Sequence, residues 1–350
     1  MKEFPWFLMA ICALVSWGTT GLVRRFALRR GVLDHPNPRS SHTTPTPRGG
    51  GLAFVATYLA ALALGLGAGW VDARLGLALL GGGSLIALVG WLDDRFGLPS
   101  WVRLLVQLGA GWLAVAALGP VRELSLAAWH LPLGPLAVPG TVLALVWLTN
   151  LYNFMDGIDG LAAGHTVVVA AAATGLFGLG GARELTLASA ALVAVTLGFL
   201  PWNWAPARIF MGDVGSLFLG FVLGVLGIAG IAAGAVSGVE WMLLLGVFVF
   251  DATVTLTRRM VHGERLDAAH RRHAYQRAVQ AGWSHRRVAA GAMLLSSALA
   301  AGVVISTRRS DQAAAAVAGG GILLLAAVYV IVERRRSMWA EGVGRASPGA

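Results

Sequence analysis

Five stretches of this 350-residue chain gather side chains able to do chemistry. In Gly-Trp-Leu-Asp-Asp-Arg-Phe-Gly-Leu98, the adjacent carboxylates of Asp93 and Asp94 can hold a hard cation through oxygen, as Mg²⁺ prefers, or position a proton acceptor. Taken alone, the pair equally describes a charged helix end, assisted by Arg95. In Leu148-Thr-Asn-Leu-Tyr-Asn-Phe-Met-Asp-Gly-Ile-Asp-Gly-Leu-Ala162, the side chains of Asn150, Asn153, Asp156 and Asp159 follow one another in steps of three. Such steps keep side chains on roughly one helix face. Gly157 and Gly160 after the two acids permit a sharp turn or close approach of a ligand. Polar groups beside an apolar run must find partners, and the plainer alternative to a ligand is an interhelical hydrogen-bond seam.

The third stretch is Asn203-Trp-Ala-Pro-Ala-Arg-Ile-Phe-Met-Gly-Asp-Val-Gly-Ser216, with Asp213 set between glycines just ahead of an apolar helix. A carboxylate there is stabilised as an anion by the helix N-terminus, though with Ser216 it could serve only as a cap. The fourth is a proline-stiffened loop, 34–51, in which Arg39, His42 and Arg48 offer donors to phosphate. The fifth, Glu264-Arg-Leu-Asp-Ala-Ala-His-Arg-Arg-His-Ala-Tyr-Gln-Arg277, carries His270, Arg272 and His273, which suit a diphosphate or the edge of a metal shell. Each basic loop alone would pass for a patch beside anionic lipid.

The elements that must position these groups are transmembrane. The chain is 57% hydrophobic and 13% charged, against about 25% charged in soluble domains; its mean hydropathy is +0.70. The single cysteine, Cys12, rules out an internal disulfide framework, and the net charge of +10 is better explained by membrane topology than by nucleic acid. A spanning helix needs about 20 apolar residues, and about eleven such segments fall near 4–23, 50–69, 75–91, 101–118, 136–152, 161–179, 184–200, 214–233, 239–256, 289–306 and 312–332. The first is read as a retained helix, since it is long for a signal peptide, lacks a small-residue cleavage site and ends in Arg24-Arg25.

With the N-terminus outside and the C-terminus inside, 21 of the 27 Lys and Arg fall on the inner face. The same assignment puts Asp93, Asp94, Asp156, Asp159, Asp213, Asp251, Asp267 and His270 at that face too. Charges at helix ends within a membrane usually mark function. The fold class is therefore all-α, a polytopic integral membrane bundle with one domain over 1–335 and a short disordered tail over 336–350. Carboxylates and phosphate-suited basic loops on one face fit phosphoryl transfer by electrostatic stabilisation.

These stretches resemble the polyprenyl-phosphate N-acetylhexosamine-1-phosphate transferases, the family that includes the MraY and WecA enzymes. The resemblance rests on Asp34-His-Pro-Asn-Pro-Arg39 with Pro47-Arg-Gly-Gly-Gly51, on Asp93-Asp94, on the 150–162 run and on Phe210-Met-Gly-Asp-Val-Gly-Ser216. It implies Asp93 and Asp94 as catalytic, Asp93 being favoured as proton acceptor, and Asp213 with Asp94 as ligands of Mg²⁺, for which Mn²⁺ substitutes. Asn150, Asn153, Asp156 and Asp159 would line the nucleotide-sugar site, and Phe210 would stack on uracil with Asn203 nearby. The partners implied are a UDP-sugar, undecaprenyl phosphate and membrane lipid, with a homodimer allowed. The setting is the bacterial cytoplasmic membrane with the site on its cytoplasmic side, and UMP is the released product.

Where many members carry His-x-His-His, this chain reads His270-Arg-Arg-His273, with Arg272 in place of a histidine. That signature looks like the subgroup that starts O-antigen-type chains with N-acetylated 6-deoxyhexosamines, and it argues against a muramoyl-pentapeptide donor. From other classes, a lipid or sugar transporter would place polar groups at the midplane of an internal repeat, which is not seen here, and a scaffold would leave the acidic convergence without a cause.

Overall fold

The computed structural model describes residues 6–36, 44–126, 129–265, 270–307 and 310–340. Arg39 and His42 lie outside the described residues, as does the chain beyond 340. Fourteen α-helices carry the described fold: α1 (Trp6–Arg30), α2 (Gly51–Gly67), α3 (Ala73–Gly76), α4 (Gly83–Phe96), α5 (Ser100–Leu118), α6 (Ala137–Met155), α7 (Leu161–Leu179), α8 (Arg183–Asn203), α9 (Asp213–Ala232), α10 (Gly238–Leu244), α11 (Gly246–Val261), α12 (Ala274–Gln280), α13 (His285–Ser306) and α14 (Asp311–Arg335). A π turn, Leu77–Gly82, joins α3 to α4 into one rod. The strands are short antiparallel pairs: β1 (Leu33–Asp34) with β2 (Thr46–Pro47), and β3 (Glu123–Leu126) with β4 (Trp129–Pro132).

Long apolar runs become helices because backbone polar groups in hydrocarbon have to be satisfied within the segment. Among the described residues nine helices are long and apolar enough to cross a bilayer, and α10 with α11 makes a tenth if the pair is one crossing. The segment near 50–69 forms the 17-residue α2, about 25 Å long at 1.5 Å per residue and shorter than a bilayer core. The segment near 239–256, a single run by hydropathy, is broken by 86° at Leu245. Its first half starts at a capping box, with Ser237 Oγ accepting from the Glu240 N–H and Glu240 returning a carboxylate to the Ser237 N–H. Glycine at 246 opens the second half.

Burial sorts the helices. In α9 94% of the apolar window is buried, against 22% in α1 and 28% in α14, so α9 is the axis and α1 and α14 the perimeter. Close packing on that axis requires small residues. At Gly90 of α4 a Cβ would lie 2.7 Å from the Asp213 carbonyl oxygen and from Val214 Cα. The first residues of the expected tail fold back on the bundle: Met338 is buried and Trp339 stacks on His262 at 4.2 Å between centroids.

Overfilling a packed interface typically costs about 1–3 kcal/mol. Gly90→Ala should therefore lower the thermal midpoint in detergent, while Gly109→Ala, with no neighbouring atom within 4 Å, should leave it unchanged. Equal midpoints for both variants would show slack between α4 and α9.

Candidate active site

The C-terminal end of α4 meets the N-terminal end of α9, and the reason is local. Gly212 has φ +77°, and a Cβ there would sit 2.5 Å from Asp94 Oδ2. That left-handed turn aims two backbone donors at one carboxylate. The Asp213 N–H donates to Asp94 Oδ1 and the Val214 N–H to Asp94 Oδ2, each at 3.1 Å. Asp94 thus caps α9 from another helix, and Asp213 stands in the first turn of that same helix, where the macrodipole favours an anion. The Arg48 guanidinium donates to the Asp94 carbonyl and ties in the β2 loop. Asp93 has partners of its own: its Oδ1 accepts from the Leu98 N–H at 2.6 Å and its Oδ2 pairs with Arg103 at 2.6 Å. Arg103 reaches Asp213 as well, at 3.4 Å.

The turn between α6 and α7 closes the site. Asn153 Nδ2 donates to Ser216 Oγ at 3.0 Å, fastening α6 to α9. Asp159 Oδ2 accepts from the Ala207 N–H at 3.0 Å and lies 3.4 Å from His285 Nδ1. Asn203, buried, accepts from the Gly160 N–H at 3.1 Å and donates to the Ile209 carbonyl at 3.2 Å, so it fixes two loops at once. These groups surround a cleft of about 320 Å³ lined by Asp94, Asn153, Asp156, Asp159, Asn203, Phe210 and Asp213, with Asp34, Arg48, Gln276 and His285. Burial pushes the Asp156 carboxyl well above the usual carboxylate range, and Asp213, Asp94 and Asp159 push it the same way. Five carboxylates on one cleft, Asp34 included, are an arrangement that a bound cation would relieve. Among the described residues no three acidic, His or Cys side chains form a ready metal cage. The donor set instead suits a hard cation that takes one or two carboxylates and completes its shell with water and phosphate.

Several residues singled out in the sequence lie elsewhere. Asn150 is not in the cleft lining. It exchanges hydrogen bonds with the buried Gln107 of α5 at 2.6 and 3.3 Å, which is the interhelical seam. His270, Arg272 and His273 also line no part of the cleft. Burial lowers His270 to about 3, helped by His273, Arg259 and Arg272, so its ring is neutral near pH 7 and no cationic phosphate ligand. Arg272 pairs with Glu264, whose carboxyl it holds below the usual range, and stacks over Trp339 at 4.3 Å. His273 Nδ1 faces Asp251 at 3.5 Å. Asp251 accepts from the Ala274 and Tyr275 N–H groups at 2.8 and 3.2 Å. In the other direction, Arg103 and His285 are site residues that no motif marked, and Gln276 lies within the fifth stretch without having been singled out there.

The class that fold and site define is an all-helical membrane bundle with carboxylates gathered around one cleft. Residues 76–231 match the model of glycosyl transferase family 4. Over 278 residues, 76% of this chain and 75% of the relative, the sequence is 36% identical to a probable undecaprenyl-phosphate N-acetylglucosaminyl 1-phosphate transferase of Bacillus subtilis. It is 30% identical over 314 residues, 79% of this chain and 76% of the relative, to a decaprenyl-phosphate N-acetylglucosaminephosphotransferase of Mycobacterium tuberculosis. A phospho-N-acetylmuramoyl-pentapeptide-transferase of Synechococcus matches at 39% over 207 residues, 55% of this chain and 58% of the relative. The chain belongs to glycosyl transferase family 4, the MraY- and WecA-like polyprenyl-phosphate sugar-1-phosphate transferases.

The seam assignment separates stability from substrate affinity. Asn150→Ala and Gln107→Ala should each cost about 1–3 kcal/mol by leaving a buried partner unsatisfied, and the double variant should cost little more than either. KM values should not move. A rise in donor KM for Asn150→Ala at unchanged stability would put that residue back at the substrate.

Proposed function

We propose that this protein transfers N-acetylhexosamine-1-phosphate from a UDP-sugar to undecaprenyl phosphate, releasing UMP and leaving a lipid-diphospho-sugar, on the cytoplasmic side of a bacterial cytoplasmic membrane. The observation that carries the reading is the meeting of Asp94 and Asp213 at the N-terminus of α9, in one cleft with Asp156 and Asp159. The excess of Lys and Arg on that face supports the orientation.

In the reaction a lipid-phosphate oxygen attacks the phosphorus that bears the sugar, while the bond from that phosphorus to the bridging oxygen breaks and the oxygen departs on UMP. A phosphate monoester has a second pKa of about 6, so little base strength is needed at neutral pH. Asp94 faces the cleft and is the better placed of the two adjacent acids to take the residual proton; Asp93, held by Arg103 and the Leu98 N–H, positions the end of α4. Arg48 brings positive charge to the phosphates, and the Phe210 ring in the cleft wall offers a stacking face for a base. Asp213 with Asp94 would hold Mg²⁺ or Mn²⁺, and a bound ion would supply charge neutralisation for the diphosphate.

The names of the relatives favour N-acetylglucosamine as the sugar. The His270–Arg277 signature favours a 6-deoxy relative such as QuiNAc or FucNAc, but its histidines lie outside the cleft, which weakens that preference and any link to O-antigen. The muramoyl-pentapeptide reading has the partial similarity to the Synechococcus protein behind it.

Purified protein given undecaprenyl phosphate and Mg²⁺ should release UMP from UDP-GlcNAc faster than from UDP-QuiNAc, UDP-FucNAc or UDP-MurNAc-pentapeptide. EDTA should stop release and added Mg²⁺ restore it. Asp213→Asn should lower kcat by about 10²-fold or more, as loss of a transition-state charge partner does, without changing the thermal midpoint. UMP release by Asp213→Asn at the wild-type rate would remove the basis of the proposal.

A further inference from the structure

Gln276 lines the cleft, and it stands on α12, a helix of seven residues. A helix so short is not stable alone, so its position is set by what it is tied to. At its start, Asp251 of α11 accepts from the Ala274 and Tyr275 N–H groups. Next, Tyr275 Oη donates to the Phe154 carbonyl at 2.9 Å, two residues before Asp156, in space left by Gly157. Midway along it is Arg277, 1% exposed, whose guanidinium lies over the Tyr329 ring at 4.9 Å and donates to the carbonyls of Arg272 and Arg336 at 3.1 and 3.0 Å.

The carboxylate that answers this buried charge is Glu333, near the end of α14. Glu333 also pairs with Arg258 of α11 at 2.8 Å and accepts from the Met338 N–H at 3.2 Å. It therefore fastens α11, α12, α14 and the returning 336–340 segment at one point. A buried guanidinium that loses its carboxylate keeps an uncompensated charge, and the nearest relief is movement of α12 toward water.

We propose that Glu333 is a positioning residue for the cleft: through Arg277 it sets α12, and so places Gln276 against the bound nucleotide-sugar. The first half of this statement concerns the fold alone; the second rests on the function proposed above. Asp251 and Tyr275 keep α12 attached when Glu333 is removed, so the expected effect is loosening rather than unfolding.

The test compares full-length wild type, Glu333→Ala and Glu333→Asp in detergent. Amide exchange across 276–281 should be about tenfold or more faster in Glu333→Ala, with exchange in α9 unchanged and Glu333→Asp close to wild type. With UDP-GlcNAc as donor, Glu333→Ala should raise donor KM about tenfold with kcat within about threefold and undecaprenyl-phosphate KM unchanged, the pattern of lost binding rather than lost chemistry. Unchanged exchange in Glu333→Ala overturns the attachment. Faster exchange with unchanged donor KM, or an equal loss of kcat and of both affinities, overturns the positioning role. A wild type that turns over no UDP-GlcNAc while the exchange result holds would instead count against the proposed donor.

Discussion

The site depends on one carboxylate capping a helix that is not its own. Asp94 receives two N–H groups from the first turn of α9, so a single side chain satisfies donors that would otherwise be orphaned and fixes how far α4 and α9 can slide along each other. Because α9 is the buried axis of the bundle, this contact sets the level at which the loops of α2, α6 and α8 arrive. The Gly50 and Gly51 N–H groups bond the Phe210 and Met211 carbonyls at 2.9 and 2.8 Å, and Phe210 N–H bonds the Pro47 carbonyl at 2.8 Å. The walls of the cleft are thus referenced to the same helix end.

Charge is distributed unevenly around that centre. The acidic groups face the cleft, while Arg258, Arg259, Arg272 and Arg277 are spent on carboxylates and carbonyls behind it. Arg259, 2% exposed, bonds Glu264 at 3.0 Å, and Arg277 and Arg258 share Glu333. Buried pairs of this kind add little net stability, because desolvation offsets attraction, but they are costly to break. Their use here is to specify one geometry for a loop with little apolar surface of its own.

Much of this was legible in the residues. Convergence of Asp93, Asp94, Asp156, Asp159 and Asp213 at one end followed from counting helix ends, because up-and-down helices return the chain to the same face at every second connection. What hydropathy could not show was direction within a run: 239–256 has the composition of one span whether straight or bent at Leu245. Spacing had a similar limit at Asn150. A three-residue step puts it on the face of Asn153, yet a turn away its neighbour is Gln107 of α5, 43 residues off in sequence. The basic loop misled for the same reason, since the partner of Arg258 lies 75 residues downstream and nothing local announces it. His285 follows the helix-capping Ser284 in no recognisable pattern and is found only by proximity.

Gly212 gives the cleft a fixed side. Its left-handed backbone lets Asp94 dock on α9 within the bundle's most buried packing, so the acidic wall has no room to give. The opposite wall hangs on a short helix held by side chains from three separate segments. A cavity with one wall packed into the bundle and the other on a tethered helix yields unevenly: disturbance of its shape falls first on the tethered side.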